Sequence, residues 1–139
     1  MKNEKIKSVL NFINYKVNEV RFKENKGFNE KEEDIEINFD VNADYEKIDN
    51  NSLLVTLILE VFKDSEENNY PFSMYVELTG FFKICEDIDP EIKDFIEKKN
   101  TVAILFPYAR AIVSTYTASA NIPPLILPPI NVNNMIDNN

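Results

Sequence analysis

An α+β fold, with a four-stranded and mostly antiparallel sheet followed by helices, is what this sequence predicts. Three observations carry that reading. Apolar residues alternate, or run on both faces, in four segments between residues 13 and 84. Most of the links between those segments have turn chemistry. From Asp89 onward the apolar period becomes helical.

Residues 3 to 13 place Ile6, Val9, Leu10 and Ile13 at i, i+3, i+4 and i+7 among polar residues, which predicts a short amphipathic helix within residues 1–13. From Ile13 the period is two. Ile13, Tyr15 and Val17 share a face, and Val20 and Phe22 fall out of phase with them, so a bulge near Asn18 and Glu19 is expected to restore the register. The segment EKEEDIEINFDV then alternates cleanly, with Ile35, Ile37, Phe39 and Val41 opposite Asp34, Glu36, Asn38 and Asp40, and predicts a second strand with an acidic outer face.

Residues 43–52, ADYEKIDNNS, read as a loop long enough to cross over between strands, and LLVTLILEVF reads as a central strand covered on both sides. The polar turn KDSEENN leads to a fourth strand with Phe72, Met74, Val76 and Leu78 on one face, where Gly80 marks a bulge or a close approach. Cys85 reads as a small hydrophobe at the end of that strand.

Asp89 followed by Pro90 signals a helix N-terminus, with Ile92, Phe95 and Ile96 as its apolar stripe. Pro107 is placed near the first turn of a further helix, since in a helix interior proline costs about 3 kcal/mol. That helix is expected to end near Asn121, ahead of a proline-stiffened apolar stretch and a short tail over residues 133–139. At 139 residues, with no internal repeat, the chain is read as one domain spanning 1–139.

Composition narrows the chemistry. The net charge of -9, with Lys and Arg scattered among more numerous acids, speaks against nucleic acid and against an anionic membrane surface. No run approaches the ~20 apolar residues of a membrane span, and the start lacks the apolar region of a signal peptide, so a cytoplasmic protein without membrane insertion is expected. The absence of His removes Ser-His and Cys-His catalysis and most zinc sites, the two glycines form no phosphate-cradling loop, and the single Cys forms no internal disulfide. The acids alternate with apolar residues as a solvated strand face does. No enzyme, cofactor or metal is therefore expected.

What the chain does offer is apolar surface. Tyr108, Ile112 and Tyr116 lie on one helical stripe, and small residues such as Ala109 would let another helix approach closely. The five residues Ile122, Leu125, Ile126, Leu127 and Ile130, on a stretch held extended by prolines, exceed what one small core absorbs, so some of them should line a groove or cover a partner. Tyr45 and Ile48, in the polar link, are the next candidates. Phe106 reads equally as groove or core, and Arg110 as a structural anchor taking a carboxylate or helix-end carbonyls.

The run Leu105-Phe106-Pro107-Tyr108-Ala109-Arg110 resembles the signature of the SecB protein-export chaperones. The later run Leu127-Pro128-Pro129-Ile130-Asn131 is similar to the motif that ends their apolar crossover, and Gly80-Phe81-Phe82 stands late in strand four as it does in that family. The resemblance covers roughly residues 13–132. It implies helices packed on one face of the sheet and a homotetramer, a dimer of dimers assembled through helix packing and sheet edges, with Tyr108, Ala109, Ile112 and Tyr116 at the interface. It also implies an ATP-independent holdase for unfolded polypeptides or preproteins, with a groove drawn from Tyr45, Ile48, Phe106, Ile122, Leu125, Ile126, Leu127 and Ile130. The family's acidic sheet surface docks the translocation motor SecA. Glu19 and Glu77 are the acids available here for that role, whereas Lys23 and Tyr75 stand where the family carries others. The N-terminal helix is more similar to that of SecB-like proteins paired with toxin-antitoxin systems, and this supplies the alternative reading: a dedicated module holding a partner such as an antitoxin.

Overall fold

The computed structural model describes residues 10–30, 34–84 and 89–131. Strands β1 (Leu10–Glu24), β2 (Phe39–Asp49), β3 (Ser52–Val61) and β4 (Phe72–Ile84) form one antiparallel sheet in the order β1-β4-β3-β2. A single turn, α1 (Ser65–Asn68), lies in the β3–β4 link. After the sheet come α2 (Pro90–Phe95), a π turn (Ile96–Asn100) and α3 (Thr101–Ser119), and α3 packs across β3 and β4. This is the α+β arrangement with helices on one face. Residues 1–9, Cys85 and the tail from 132 lie outside the described residues, and so does most of the expected N-terminal helix.

The core lies between the sheet and α3. Leu53, Val55, Leu57, Leu59 and Val61 of β3 and Met74, Val76, Leu78 and Phe82 of β4 are buried against Val102, Leu105, Phe106, Ala109 and Val113 of α3. Each fully buried aliphatic side chain contributes about 1.5–3 kcal/mol. Gly80 stands within this layer, opposite Val55 and Tyr15. A Cβ there would lie 2.6 Å from Leu105 Cδ2, so the close approach expected of this glycine is the contact that seats α3 on the sheet.

Several expectations are corrected. Leu10 and Ile13 belong to β1, and their helix-like spacing arises from a bulge between Phe12 and Asn14. The second register shift, between Val17 and Glu19, falls where the phase change placed it. The paired second strand begins only at Phe39, and ADYEKID is strand: Ala43, Tyr45 and Lys47 oppose Leu57, Val55 and Leu53. Its polar composition is that of an edge strand with one wet face. The β2–β3 link is a tight hairpin turn, closed by Asn51 N donating to Asp49 Oδ1 at 2.8 Å. The crossover is the 25–38 link, because β1 and β2 lie at opposite edges of the sheet. β3 is central, yet only its helix-facing side is fully buried; Leu54, Thr56, Ile58 and Glu60 on the outer face are half-buried, with no described residue layered over them.

Asp89 caps α2 as expected, its Oδ1 accepting from Glu91 N at 2.9 Å, with Pro90 at the first helical position. Pro107 lies inside α3 rather than near its start. Its ring and Ala103 are both on the exposed side, so the Ala103 carbonyl, four residues back, meets water and the cost of the missing N–H is reduced. α3 ends in a Schellman motif, with Asn121 at φ 64° and bonds from Ile122 N to Thr117 O and Asn121 N to Ala118 O. The π turn is fastened to β2: the Tyr45 hydroxyl donates to Lys98 O at 2.6 Å, and Lys47 Nζ lies 3.6 Å from the buried Glu97 carboxylate.

Gly80→Ala is expected to lower stability by about 1–3 kcal/mol, seen as a reduced urea midpoint at unchanged slope, and Leu105→Val in the same chain to recover part of the loss. Burial, and after it the charge of Asp94, push the Tyr45 phenol from 10.0 up to about 12. An acid held more tightly protonated in the folded state loses stability as pH rises from the unfolded value to the folded one. Stability should therefore fall between about pH 10 and pH 12, and thermal unfolding of Tyr45→Phe should show a shallower fall over that range.

Candidate functional site

An apolar groove of about 570 Å³ lies at the end of the sheet where the crossover link passes. Its floor is aromatic. Phe22 stacks on Phe72 with ring centroids 5.1 Å apart, and Phe62 meets Phe72 edge-on at 5.3 Å and Tyr70 at 4.8 Å. Phe62 holds a left-handed backbone, φ 54°, rarely adopted by so bulky a residue. Its N–H donating to Asn38 O at 2.9 Å and its ring contacts keep it there.

One wall comes from the crossover link. Ile35 and Ile37, 43% and 41% exposed, line the groove, while the alternating Asp34 and Glu36 do not. Phe28 joins them and is held by a clamp of asparagines. Asn25, nearly buried, donates through Nδ2 to Ser65 O at 3.1 Å and Tyr70 O at 2.9 Å and accepts Gly27 N at Oδ1. Asn69 accepts from Asn29 N and donates to Asn29 O, both at 3.0 Å.

The facing wall is Ile122-Pro123-Pro124-Leu125, folded back along α3. Arg110, Ser114 and Thr117 share a stripe of that helix and form the seam. Arg110 Nε donates to Leu127 O, Ser114 Oγ donates to Leu125 O at 3.0 Å, and Leu125 N donates to Thr117 Oγ1 at 2.9 Å. Arg110 is thus an anchor, and its acceptor is a carbonyl of the proline-rich stretch.

The sequence candidates separate in space. Ile122 and Leu125 line the groove. Leu127 is fully buried and Phe106 is 4% exposed, stacked on Phe39 at 6.2 Å, so both serve the core. Ile130 packs half-buried against that core, and Ile126 points to solvent at 63% exposure. Tyr45 is taken up by the π turn, and Ile48 is exposed near the tip of the β2–β3 hairpin. The sequence carries no signal that makes Phe22, Phe28, Phe62 and Phe72 groove residues. Only the topology brings them together, although Ile35 and Ile37 had a usable signal in their alternation.

A second apolar hollow, of about 410 Å³, lies between β1 and α3 and is lined by Tyr15, Val20, Tyr108, Ile112 and Tyr116 with the small residues Ala111, Thr115 and Ser119. Tyr15 and Tyr108 stack at 4.3 Å. Ala109 faces the core, so the small residues open to a neighbour are on the other side of the helix from it. On the outer face of the sheet Glu19 and Glu77 are cross-strand partners, each already engaged: Glu19 with Arg21 Nε at 2.6 Å, Glu77 with the Tyr75 hydroxyl at 2.7 Å. The bond to Glu77 holds the Tyr75 phenol above its ordinary range. Among the described residues no cluster of three metal-ligating side chains forms, and no helix is long and apolar enough to cross a membrane.

Comparison with known proteins bears on this arrangement. The family model described as preprotein translocase subunit SecB matches residues 13–139. An uncharacterised protein of Methanocaldococcus jannaschii is 40% identical over 134 residues, covering 95% of this chain and 85% of its own length. Among solved structures, the Mycobacterium tuberculosis SecB-like chaperone Rv1957, in complex with a ChAD peptide from the HigA1 antitoxin, superposes with a TM-score of 0.65 at 12% identity, covering 92% of each chain. A Streptococcus agalactiae protein of unknown function gives 0.53 at 16% identity, covering 86% of this chain and 96% of that one.

Thr117→Val keeps the side-chain volume but removes the acceptor for Leu125 N–H. It is expected to cost about 1–3 kcal/mol in chemical unfolding and to speed hydrogen exchange at the Leu125 amide ahead of the α3 amides.

Proposed function

Because the chain belongs to the SecB family, we propose that it is an ATP-independent holdase that takes apolar segments of non-native polypeptides into the groove between the crossover link and the proline-rich stretch. The observation that carries this reading is the groove itself: an aromatic floor between two irregular walls, Ile35-Ile37 on one side and Ile122-Leu125 on the other. Such a groove gains affinity from apolar area, at about 25 cal/mol per Å², and takes many sequences because few polar groups in it dictate a match. The residues proposed to touch the client are Phe28, Ile35, Ile37, Ile122 and Leu125. Delivery of preproteins from the cytoplasm to a translocase is the family's role and the reading carried here. Docking through Glu19 and Glu77 would have to displace Arg21 and the Tyr75 hydroxyl from those carboxylates. Assembly into a tetramer through Tyr108, Ile112 and Tyr116 belongs to the same proposal.

A second reading has its own support, since the solved relative from Mycobacterium tuberculosis holds a peptide of an antitoxin. In that case this chain would retain one dedicated partner.

Substoichiometric protein, without nucleotide, should suppress the light scattering of a diluted unfolded substrate. Ile35→Asp with Leu125→Asp should abolish suppression while circular dichroism and assembly mass stay unchanged. Full suppression by that variant would move the binding surface elsewhere. An excess of unrelated unfolded chain should displace a bound substrate from a general holdase and leave a dedicated partner in place.

A further inference from the structure

The short helix that precedes α3 carries apolar residues that the fold leaves in water. Ile92 and Phe95 of α2 are 55% and 51% exposed, and no residue of α2 is buried. The Phe95 ring meets the Lys99 ammonium, 5.4 Å from its centroid. Nothing in the spacing asks for this. Phe95 stands seven residues before Val102 and fourteen before Ala109, both fully buried against the sheet. Seven residues make about two turns of α-helix, so an unbroken helix over residues 90–119 would set Phe95 on the sheet beside them and turn Lys93 and Glu97 out to water.

The π turn is what rotates α2 away. It takes one residue more than an α-helical turn, which swings the chain before it by about 100°. Glu97 is buried in place of an apolar residue, and Lys93 is half-buried. Polar contacts hold this position: the Tyr45 hydroxyl donates to Lys98 O at 2.6 Å, Lys47 Nζ lies 3.6 Å from Glu97, and Lys93 Nζ donates to Asn50 O at 3.1 Å. Straightening the turn would exchange them for the apolar area of Phe95 and an unbroken α-helical ladder. Each position therefore has its own stabilising contacts, at the end of the sheet opposite the groove.

We propose that α2 and the π turn form a two-position switch. In the outward position the chain presents Ile92 and Phe95. When the π turn straightens, α2 rotates back, Phe95 goes to the sheet, and Lys93 and Glu97 face water. The same segment is thus apolar on its outer side in one position and charged in the other. Any partner that takes hold of Ile92 and Phe95 selects the outward position, and it does so without a contact to the groove.

Two readouts on the full-length chain test this: relaxation dispersion of the backbone amides, and maleimide labelling of a thiol at position 95, introduced as Phe95→Cys with Cys85→Ser. In the parent, amides of residues 91–99 should show microsecond-to-millisecond exchange that the middle of α3 lacks. Tyr45→Phe with Lys47→Met removes two of the polar contacts and should slow labelling about tenfold relative to the thiol-bearing parent, as position 95 turns to the sheet. Deleting Lys99 acts the other way. One residue fewer lets α2 run into α3 as a regular helix with Phe95 still outward, so the exchange should vanish while labelling stays as fast as in the thiol-bearing parent. A parent without exchange in α2, a Tyr45→Phe, Lys47→Met variant labelled at the parent rate, or a deletion variant that keeps the exchange would each overturn the proposal.

Discussion

The approach of α3 to the sheet at Gly80 is the constraint on which the rest of the structure hangs. Leu105 enters the space that a Cβ would take, and Ala109, one turn on and fully buried, keeps the helix low over β3 and β4. That height decides where the far end of α3 delivers the chain. From Asn121 the backbone reverses, and the seam of Arg110, Ser114 and Thr117 can hold Leu125 and Leu127 only because the helix already lies close enough for Leu127 to reach the core. One wall of the groove is thus positioned from a glycine on a strand well away from it.

The other wall is positioned differently. No ladder reaches Ile35 or Ile37, and order there comes from side-chain amides that imitate backbone partners. Asn69 gives and receives one bond with Asn29 much as a neighbouring strand would, and Asn25 ties its own link to the β3–β4 link, Oδ1 accepting from Gly27 N while Nδ2 donates to Ser65 O and Tyr70 O. Two prolines on one side and three asparagines on the other give a recess whose walls are partly fixed before anything enters. This lowers the ordering cost that a flexible surface would meet on binding.

The strand count, the bulge at Asn18, the cap at Asp89, the end of α3 and the meaning of Gly80 were legible in the sequence, because each depends on a local rule of spacing or backbone conformation. Less legible were features that depend on neighbours distant in the chain. The second half of β2, from Ala43, looks like a loop in the sequence because Lys47 and Tyr45 are read as polar until the π turn supplies Glu97 and the Lys98 carbonyl as their partners. Pro107 looked like a helix start because its exposure, and hence the hydration of the carbonyl it frees, is a tertiary fact. For the groove, half of the proline-rich wall was visible and none of the aromatic floor. Phe22, Phe62 and Phe72 come from three strands or their ends, and nothing in the alternation of any one of them shows that they converge.

The two irregularities of β1 have a bearing beyond register. A sheet with open strands at both sides is a ready template for other chains to extend. β1 is long, but the bulges at Ile13 and Asn18 break the repeat of its free amides, and its outward Lys16, Arg21 and Lys23 discourage a flat partner. On the opposite side β2 shows an acidic row and a register break next to Ile48. Both borders are blunted in this way, so the apolar recesses of the chain are not accompanied by a long flat strand edge on which another chain could extend the sheet.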